Sequence, residues 1–465
     1  MMNELWPRVS TNTNPRPLRR LCHSGLPFDS PFGIRHLSLA IRPSGRGSLP
    51  MRIALVLGAF GLMGAAAAQG DWPQFRGPTG DGDAGAADLP LRWSETENVR
   101  WKTAIHDTGW SSPVIGGRQV WLTTATRDGK QLFAVCLDRD TGRVVHDVKV
   151  FDVAKPEKIA SVNSYASPTP VVEPGRVYVH FGTYGTACLD TERGQVLWTR
   201  TDLTCDHHMG PGSSPVPFED LLILNVDGCD AQYVVALDRA TGQTVWRTDR
   251  NVDHGKAGRF WRKAFSTPTV FEHGGRRQMI SPCAHALASY DPRTGRELWR
   301  VRHRGWSISP RPVAGHGLVF CIMDCDHPEL WAVRPDGTGD VTDTHVAWRI
   351  ERGQGMPSIP SVLLVGDLLF AVNDQGTAFS IEAKTGQVLW KQNIGKRHYA
   401  SPIHAKGRVY FFSDEGVGTV IEAGRAYKAL AVNSLAGPLR ATPAVSGNAL
   451  FVRTGTHLYR LQQGP

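Results

Sequence analysis

Short runs of alternating apolar and polar residues recur along most of the chain and predict β-strands. Two clear runs are Asp220 to Asn225 and Arg408 to Phe412. Their side-chain period of two is that of a strand with one buried face. The chain has 465 residues with 49 Gly and 31 Pro, a content that suits many tight turns. The pattern therefore predicts an all-β protein.

The strands belong to a repeated unit with two recognisable parts. The clearest copy of one part is Ala236–Trp246, and its frame recurs at Cys136–His146, Cys188–Trp198, Ser289–Trp299 and Ser380–Trp390. The other part is Ser/Ala-x-Pro before an apolar strand. It occurs at Pro113, Pro168, Pro215, Pro268, Pro360, Pro402 and Pro443, with a degenerate copy near Pro310, at spacings of 41 to 55 residues. Eight copies of this length indicate a repeat fold.

Each part of the repeat has a physical reason. A proline is tolerated at the start of a strand, and an Asp-x-x-Thr-Gly segment forms a hairpin turn. The terminal tryptophan offers a broad surface that can dock between neighbouring units. We expect this docking role for Trp101, Trp198, Trp246, Trp299, Trp348 and Trp390. One small sheet cannot bury both its faces, so the copies must stack.

The predicted fold is an eight-bladed β-propeller of four-stranded antiparallel blades. The last copy, from Ala441 to about Leu461, has room for three strands, and the segment around Trp101 resembles the final strand of the repeat. We expect this N-terminal strand to complete the last blade and remove its exposed edge. An open solenoid of the same repeats is the alternative.

The N-terminal region predicts export. Met51 and Arg52 precede a short apolar stretch and a run of alanines, as in a secretory signal with cleavage near Ala68–Gln69. The predicted organisation is an upstream leader or mis-annotated start at 1–50, a signal peptide at 51–68, an extended segment at 69–95 and the propeller at 96–462. We predict a periplasmic, cell-envelope or secreted protein with no transmembrane span.

Charge excludes one class of partner. The formal net charge is +9, but residues 1–68 carry +6 of it, which leaves +3 for residues 69–465. Such a domain has no basic stripe, so we expect no nucleic-acid partner. We expect a monomer.

The repeats resemble those of a known family. The motif Ala-x-Asp-x-x-Thr-Gly-x-x-x-Trp looks like the tryptophan-docking motif of pyrroloquinoline quinone (PQQ) propeller repeats, and Asp71–Gly82 is similar to the start of many exported PQQ-like proteins. The resemblance covers about residues 71–462. It implies a quinoprotein-like propeller, a superfamily that includes PQQ-dependent alcohol and glucose dehydrogenases and the non-catalytic outer-membrane assembly factor B. Fold alone leaves the function open.

A polar cluster precedes the first strand of each predicted blade. In a propeller these connections reach the same end of the central axis and predict a mostly cationic funnel mouth for an anionic ligand or an acidic loop. The alternative is that these groups bond to one another across a narrow channel. The candidates are Tyr165, His207, His208, Lys263, Arg304, Trp306, Arg397, His398, Tyr399 and Arg440.

The seven cysteines after residue 68 give no specific signal for a disulfide framework or a metal site. Cys136 and Cys188 stand where other copies have Ala or Ser, so we interpret them as small core residues, and one pair of the seven could form a disulfide in an exported protein. Ligand-rich clusters at Cys205–His208 and Cys321–His327 raise metal binding as a third hypothesis. We assign no metal ligands, because neighbouring strand residues point to opposite faces.

Two functional hypotheses remain. The first is an exported, non-enzymatic scaffold that binds a protein or polymer partner at the propeller mouth, with no cofactor. The second is a dehydrogenase of alcohols or sugars with a degenerate site for PQQ and Ca²⁺. The sequence lacks the adjacent cysteine pair of the alcohol dehydrogenases and a Cys-x-x-Cys-His haem motif, which favours the first. No catalytic residues are assigned.

Overall fold

The structure is a computed structural model that describes residues 70–464. The predicted leader at 1–50 and signal peptide at 51–68 lie outside the described residues. In the described part, regular structure other than strands is confined to two short 3-10 helices, Gly182–Tyr184 and Arg259–Arg262. None of the helices in residues 70–464 has the length and apolar character needed to cross a membrane.

The strands form eight sheets in chain order, and each sheet is one blade. The first strand in the sequence, β1 (Val99–Ala104), precedes blade 1 and belongs to the sheet of blade 8. Blades 1 and 2 contain β2 (Val114–Gly116), β3 (Gln119–Ala125), β4 (Gln131–Asp138) and β5 (Val144–Asp152), then β6 (Val171–Glu173), β7 (Arg176–His180), β8 (Thr186–Asp190) and β9 (Val196–Arg200). Blades 3 and 4 contain β10 (Val216–Phe218), β11 (Leu221–Asp227), β12 (Gln232–Asp238) and β13 (Thr244–Asp249), then β14 (Thr269–His273), β15 (Arg276–Cys283), β16 (Ala286–Tyr290) and β17 (Glu297–Arg302).

The second half follows the same order. Blade 5 contains β18 (Val313–Gly315), β19 (Leu318–Ile322), β20 (Leu330–Val333) and β22 (Val346–Ile350), and β21 (Gly339–Asp340) lies between its last two strands in sequence. Blades 6 and 7 contain β23 (Leu363–Val365), β24 (Leu368–Val372), β25 (Thr377–Glu382) and β26 (Val388–Asn393), then β27 (Ile403–Ala405), β28 (Arg408–Phe412), β29 (Val417–Glu422) and β30 (Ala429–Ser434). Blade 8 contains β31 (Ala444–Ser446), β32 (Ala449–Arg453) and β33 (His457–Leu461).

The first strand closes the ring. β1 pairs antiparallel with β33, with Trp101 opposite Arg460, and becomes the outermost strand of blade 8. This confirms the eight-bladed propeller and its N-terminal closure, and it excludes the open solenoid. Because β1 supplies the fourth strand of blade 8, the edge of β33 is paired and the last blade is joined to the start of the propeller.

The core lies between the faces of neighbouring blades. Tyr178 of blade 2, for example, packs in one buried cluster with Leu222 and Val235 of blade 3. The three inner strands of a blade are largely buried, whereas an outermost strand such as β9 alternates between exposed and half-buried residues. A blade therefore obtains its stability from its neighbours, as expected for a stacked repeat.

The predicted tryptophan docking occurs at the outer rim. The indole nitrogen of Trp198 donates to the main-chain oxygen of Arg239 at 3.0 Å, and the ring lies against Gly242 in the Thr-Gly turn of the next blade. The same type of contact joins Trp101 to blade 1 and Trp348 to blade 6, while Trp390 donates to Gly424 of blade 7. Trp246 lies against Gly295 in the same way, although its indole nitrogen has no hydrogen-bond acceptor among residues 70–464.

Three blades depart from this pattern, and in one of them, blade 7, Ala431 occupies the position of the tryptophan. In blade 1 His146 stands in place of the tryptophan, and its Nε2 is 3.1 Å from the oxygen of Thr191 in blade 2. Trp299 of blade 4 is fully buried and donates to Gln278 of its own blade at 2.9 Å. The reason is β21, which pairs parallel with Trp299 and Arg300 and gives blade 4 a fifth strand. Trp299 therefore does not dock on the turn of the next blade, contrary to the prediction.

A ring of hydroxyl groups links the starts of the innermost strands. The amide of Ser112 donates to the hydroxyl of Thr169 at 3.0 Å, and the same bond recurs from blade to blade. The accepting hydroxyls belong to Thr169, Ser214, Thr267, Ser361, Ser401 and Thr442. In blade 5 the equivalent residue is Arg311, whose amide donates to Ser361 at 2.9 Å. This ring also shows that Pro170 and Pro312, not Pro168 and Pro310, are equivalent to Pro113, and that Val362, not Pro360, holds the equivalent position in blade 6.

Candidate functional site

The N-terminal segment enters the central channel. Trp72 exchanges main-chain hydrogen bonds with Ile115 of blade 1, and the amide of Val172 in blade 2 donates to Pro73 at 2.8 Å. Further along, Gly82 and Ala84 hydrogen-bond to His404 of blade 7. Innermost strands present their free edge to the axis of a propeller. Of the segment predicted as extended at 69–95, residues 72–84 therefore cross the axis and fill the channel at the level of these strands, and we call them the channel plug.

The mouth is the end of the axis where the connections between blades meet, and one part of it is centred on Arg440. The guanidinium donates to Asp414 at 2.8 Å and to the main-chain oxygen of Val162 at 2.9 Å. Its central carbon lies 4.8 Å from the ring of Trp110 and 5.0 Å from the ring of Tyr399. One cation thus joins three inter-blade connections through an ion pair, a hydrogen bond and two cation–π contacts.

A second cluster surrounds Lys263. Its ammonium lies 3.2 Å from Nδ1 of His207 and donates to the oxygen of Ala264 at 3.0 Å. Burial lowers the pKa of Lys263, and burial together with the lysine charge holds the pKa of His207 well below its ordinary value. His207 is therefore neutral at pH 7 and can accept from the lysine through Nδ1. Both side chains are enclosed within the protein.

The remaining candidates divide between interior and surface. Tyr165 is buried and donates to the oxygen of Glu157 at 2.7 Å, and buried Trp306 packs edge-on against Trp261 at 4.4 Å. His398 is buried beside the oxygen of Lys396, and burial lowers its pKa to about 4. The exposed or partly exposed candidates are Arg304, Arg397 and His208.

An exposed loop lies next to the second cluster. It runs from residue 251 to 262 between blades 3 and 4, and Phe260, near its C-terminal end, is 47% exposed. The Phe260 ring stacks on His208 at 4.2 Å, and Arg259 forms an ion pair with Asp206. The guanidinium carbon of Arg259 lies 5.6 Å from the centre of the Phe260 ring. The structure therefore presents one large apolar side chain beside a cation at the mouth.

The cysteines are thiols, not disulfides, in the structure. All seven between Cys136 and Cys325 are free, and six of them are buried. Burial raises the pKa of Cys205 to about 12, so this thiol stays protonated near neutral pH. Within residues 70–464 no group of three or more His, Cys, Asp or Glu side chains is arranged to hold a metal ion. Neither Cys205–His208 nor Cys321–His327 forms such a group.

Sequence reasoning missed two features of the axis. The hydroxyl ring had a signal, because Ser or Thr directly precedes the strand-opening residue in seven of the eight copies, and Arg311 is the exception. Arg76 lies in the channel plug and is fully buried. Apart from its place in the Asp71–Gly82 segment, no sequence signal indicates this burial. The plug itself joins residues far apart in sequence, which no local pattern reveals.

The arrangement at the mouth does not match the needs of a quinone. A planar anionic quinone needs an open aromatic face and free cationic partners, and its Ca²⁺ needs several hard oxygen ligands. Here Arg440 lies over the rings of Trp110 and Tyr399, and Asp414 is bonded to the same guanidinium. Two surface cavities, of about 430 Å³ and 550 Å³, are lined by other residues at the periphery, including Asp128 and Asp152 in one and Asp88 and Arg100 in the other.

Eight blades around one plugged axis, joined by tryptophan docking, define a β-propeller built from PQQ-like repeats. The family model for outer membrane protein assembly factor BamB matches residues 91–248 and 230–463, and the chain belongs to this family. No curated protein sequence is a significant match to the chain.

Solved structures share the fold at low sequence identity. BamB from Moraxella catarrhalis is 13% identical with a TM-score of 0.54, over 78% of this chain and 99% of that one. The quinohemoprotein alcohol dehydrogenase from Comamonas testosteroni is 10% identical with a TM-score of 0.60, over 86% of this chain and 82% of that one. A europium-containing methanol dehydrogenase is also 10% identical with a TM-score of 0.60, over 83% and 90%. At these identities the similarity shows the fold alone.

Proposed function

We propose that this chain is an exported, non-enzymatic binding module whose mouth contacts an acidic segment of a protein partner. The observation that carries the proposal is Phe260, which is 47% exposed and lies 5.6 Å from the guanidinium carbon of Arg259. An exposed aromatic side chain beside an arginine is typical of a protein-binding anchor. Export follows from the signal segment at 51–68, which the sequence alone supports.

The filled mouth supports a binding role over catalysis. Arg440 lies over the rings of Trp110 and Tyr399, and Lys263 is enclosed with His207. A substrate would therefore have to displace a partly buried ion pair and two cation–π contacts before it reached the axis. A partner that contacts the outer loop at 251–262 displaces none of these contacts.

Photo-cross-linking in the native host tests the contact. A photoreactive phenylalanine analogue at position 260 is compared with the same analogue at Val432, which is 66% exposed on β30 of blade 7. We expect a discrete protein adduct at position 260 and none at Val432. Phe260→Ser should reduce co-purification of the adduct protein by about tenfold, which corresponds to loss of one anchor worth more than 1 kcal/mol. Equal adducts at both positions, or no adduct at 260, contradict the proposed surface.

Export has its own test. Cell fractionation and N-terminal sequencing should find the mature chain outside the cytoplasm, beginning near Gln69. An uncleaved cytoplasmic chain would contradict the exported role.

A further inference from the structure

Two fully buried arginines lie against the same turn in the channel plug. Arg76 precedes this turn, which runs from Gly77 to Gly82, and Arg311 reaches it from blade 5. A Cβ atom on Gly80 would stand 2.3 Å from the Arg311 guanidinium, and one on Gly82 would stand 2.9 Å from the Arg76 guanidinium. The glycines therefore permit both cations to pack directly on the backbone of one turn.

The hydrogen bonds of Arg76 are incomplete. Its Nη2 donates to the main-chain oxygen of Asp81. Its Nε and Nη1 are buried with no hydrogen-bond partner among residues 70–464. Leaving the donors of a buried guanidinium unbonded is costly, because a charged group loses its hydration without compensation.

Arg311 adds a second charge without adding an acceptor. It occupies the one position in the ring where the other blades have Ser or Thr. Its Nε donates to the hydroxyl of Thr269 at 3.2 Å and its Nη1 donates to the oxygen of Phe75 at 2.6 Å, both neutral groups. Blade 5 thus replaces a hydroxyl with a cation that points into the plug.

The carboxylate of Asp81 is the acidic group that interacts with both arginines, and it does not balance them. It is half-exposed, and its Oδ1 accepts from the amide of Asp83 at 2.9 Å. Burial lowers the pKa of Arg76 to about 10, and burial together with Arg76 lowers the pKa of Arg311 to about 9. Both guanidinium groups therefore keep their charge at neutral pH, and the site carries an excess of one positive charge.

We propose that the channel plug binds a small inorganic anion such as chloride, which accepts hydrogen bonds from Nε or Nη1 of Arg76 beside Arg311. The anion supplies the missing acceptor and the missing negative charge. It also joins the N-terminal segment to blade 5, on the side of the ring opposite blade 1. The inference is independent of what binds at the mouth.

Thermal unfolding of the full-length chain tests the site at constant ionic strength, with sodium chloride exchanged for sodium gluconate. We expect chloride to raise the midpoint saturably by about 2 °C or more. Arg311→Ser restores the hydroxyl found in the other blades and should abolish the chloride dependence. The matched control is Arg453→Ser, because Arg453 is equally buried but bonded to the oxygens of Ser111 at 3.0 Å and 2.6 Å. This control should keep the chloride dependence.

Equal chloride responses in the native chain and Arg311→Ser, or no response in either, would overturn the proposal. A second measurement does not depend on the variants folding. Crystals of the native chain grown in sodium bromide should show an anomalous peak within about 3.5 Å of Nε or Nη1 of Arg76. An ordered water without bromide at that position would equally overturn the proposal.

Discussion

The outer rim of this propeller repeats one contact from blade to blade, whereas its axis does not. At the rim the same contact recurs, with a tryptophan such as Trp198 lying on the glycine of the next blade's turn. At the axis each blade contributes a different side chain, including Arg440, Lys263, Arg311 and Arg453. The repeated contacts at the rim hold neighbouring blades together, whereas the side chains at the axis differ from blade to blade. The following experiments separate the two, beginning with the largest expected effect.

The buried ion pair of blade 3 should be the most sensitive position tested. Asp227 accepts from Nε and Nη2 of Arg250, both at 2.7 Å, and both side chains are about 1–2% exposed. Asp227→Ala leaves a buried guanidinium without its carboxylate and should lower the free energy of unfolding by about 3–5 kcal/mol. Denaturant unfolding measures the loss.

A rim pair serves as the control for this prediction. Arg349 and Glu351 form an exposed pair at 2.6 Å in blade 5, and Arg349→Ala should change the free energy of unfolding by less than about 1 kcal/mol. Similar losses for the two variants would contradict the expectation that the buried pair matters more than the exposed one.

The tryptophan contact should account for the next largest effect. Gly242 has φ +73°, and a Cβ there would stand 2.7 Å from the Trp198 ring. Gly175 has φ +83° with open space around it. Gly175→Ala should therefore report backbone strain alone, about 1 kcal/mol, and Gly242→Ala should cost about 1–3 kcal/mol more because it also displaces the indole. If both variants lose the same stability by denaturant unfolding, the docking contact is unimportant.

The buried histidine of the mouth should make stability depend on acid. Burial lowers the pKa of His398 to about 4 in the folded chain, below its ordinary value of 6.5. Well above pH 6.5 this histidine is neutral in both states and contributes no pH dependence. As the pH falls from 6.5 towards 4, the unfolded chain binds the proton first, so His398 alone should lower the free energy of unfolding by about 2 kcal/mol by pH 5. His398→Asn should lose less between pH 7.5 and pH 5, and an unchanged loss would contradict this burial.

The smallest effect should come from restoring the repeat in blade 1. His146 already stacks on Trp121 at 5.6 Å and lies 3.1 Å from the oxygen of Thr191. His146→Trp should therefore change the free energy of unfolding by less than about 1 kcal/mol. A loss of several kcal/mol would show that histidine has a specific role at this rim position.

The difference between rim and axis also explains what could be predicted from sequence. The blade number, the strand order and the closure through Trp101 follow from local periodicity and spacing, and all were confirmed. The fifth strand of blade 4 was missed because β21 pairs with a neighbouring blade, which its own sequence does not indicate. The structure places the mouth candidates on inter-blade connections, but their partners, such as Asp414 and Val162 for Arg440, depend on ring geometry.

The most direct test of a mouth filled by its own side chains is titration of the purified chain with PQQ and Ca²⁺, with a quinoprotein dehydrogenase as the positive control. The contacts of Arg440 with Trp110, Tyr399 and Asp414 predict no saturable binding and no change in the midpoint of thermal unfolding. A red-shifted quinone absorbance at stoichiometric PQQ, with reduction of a dye by alcohols or sugars, would contradict this account and favour a dehydrogenase.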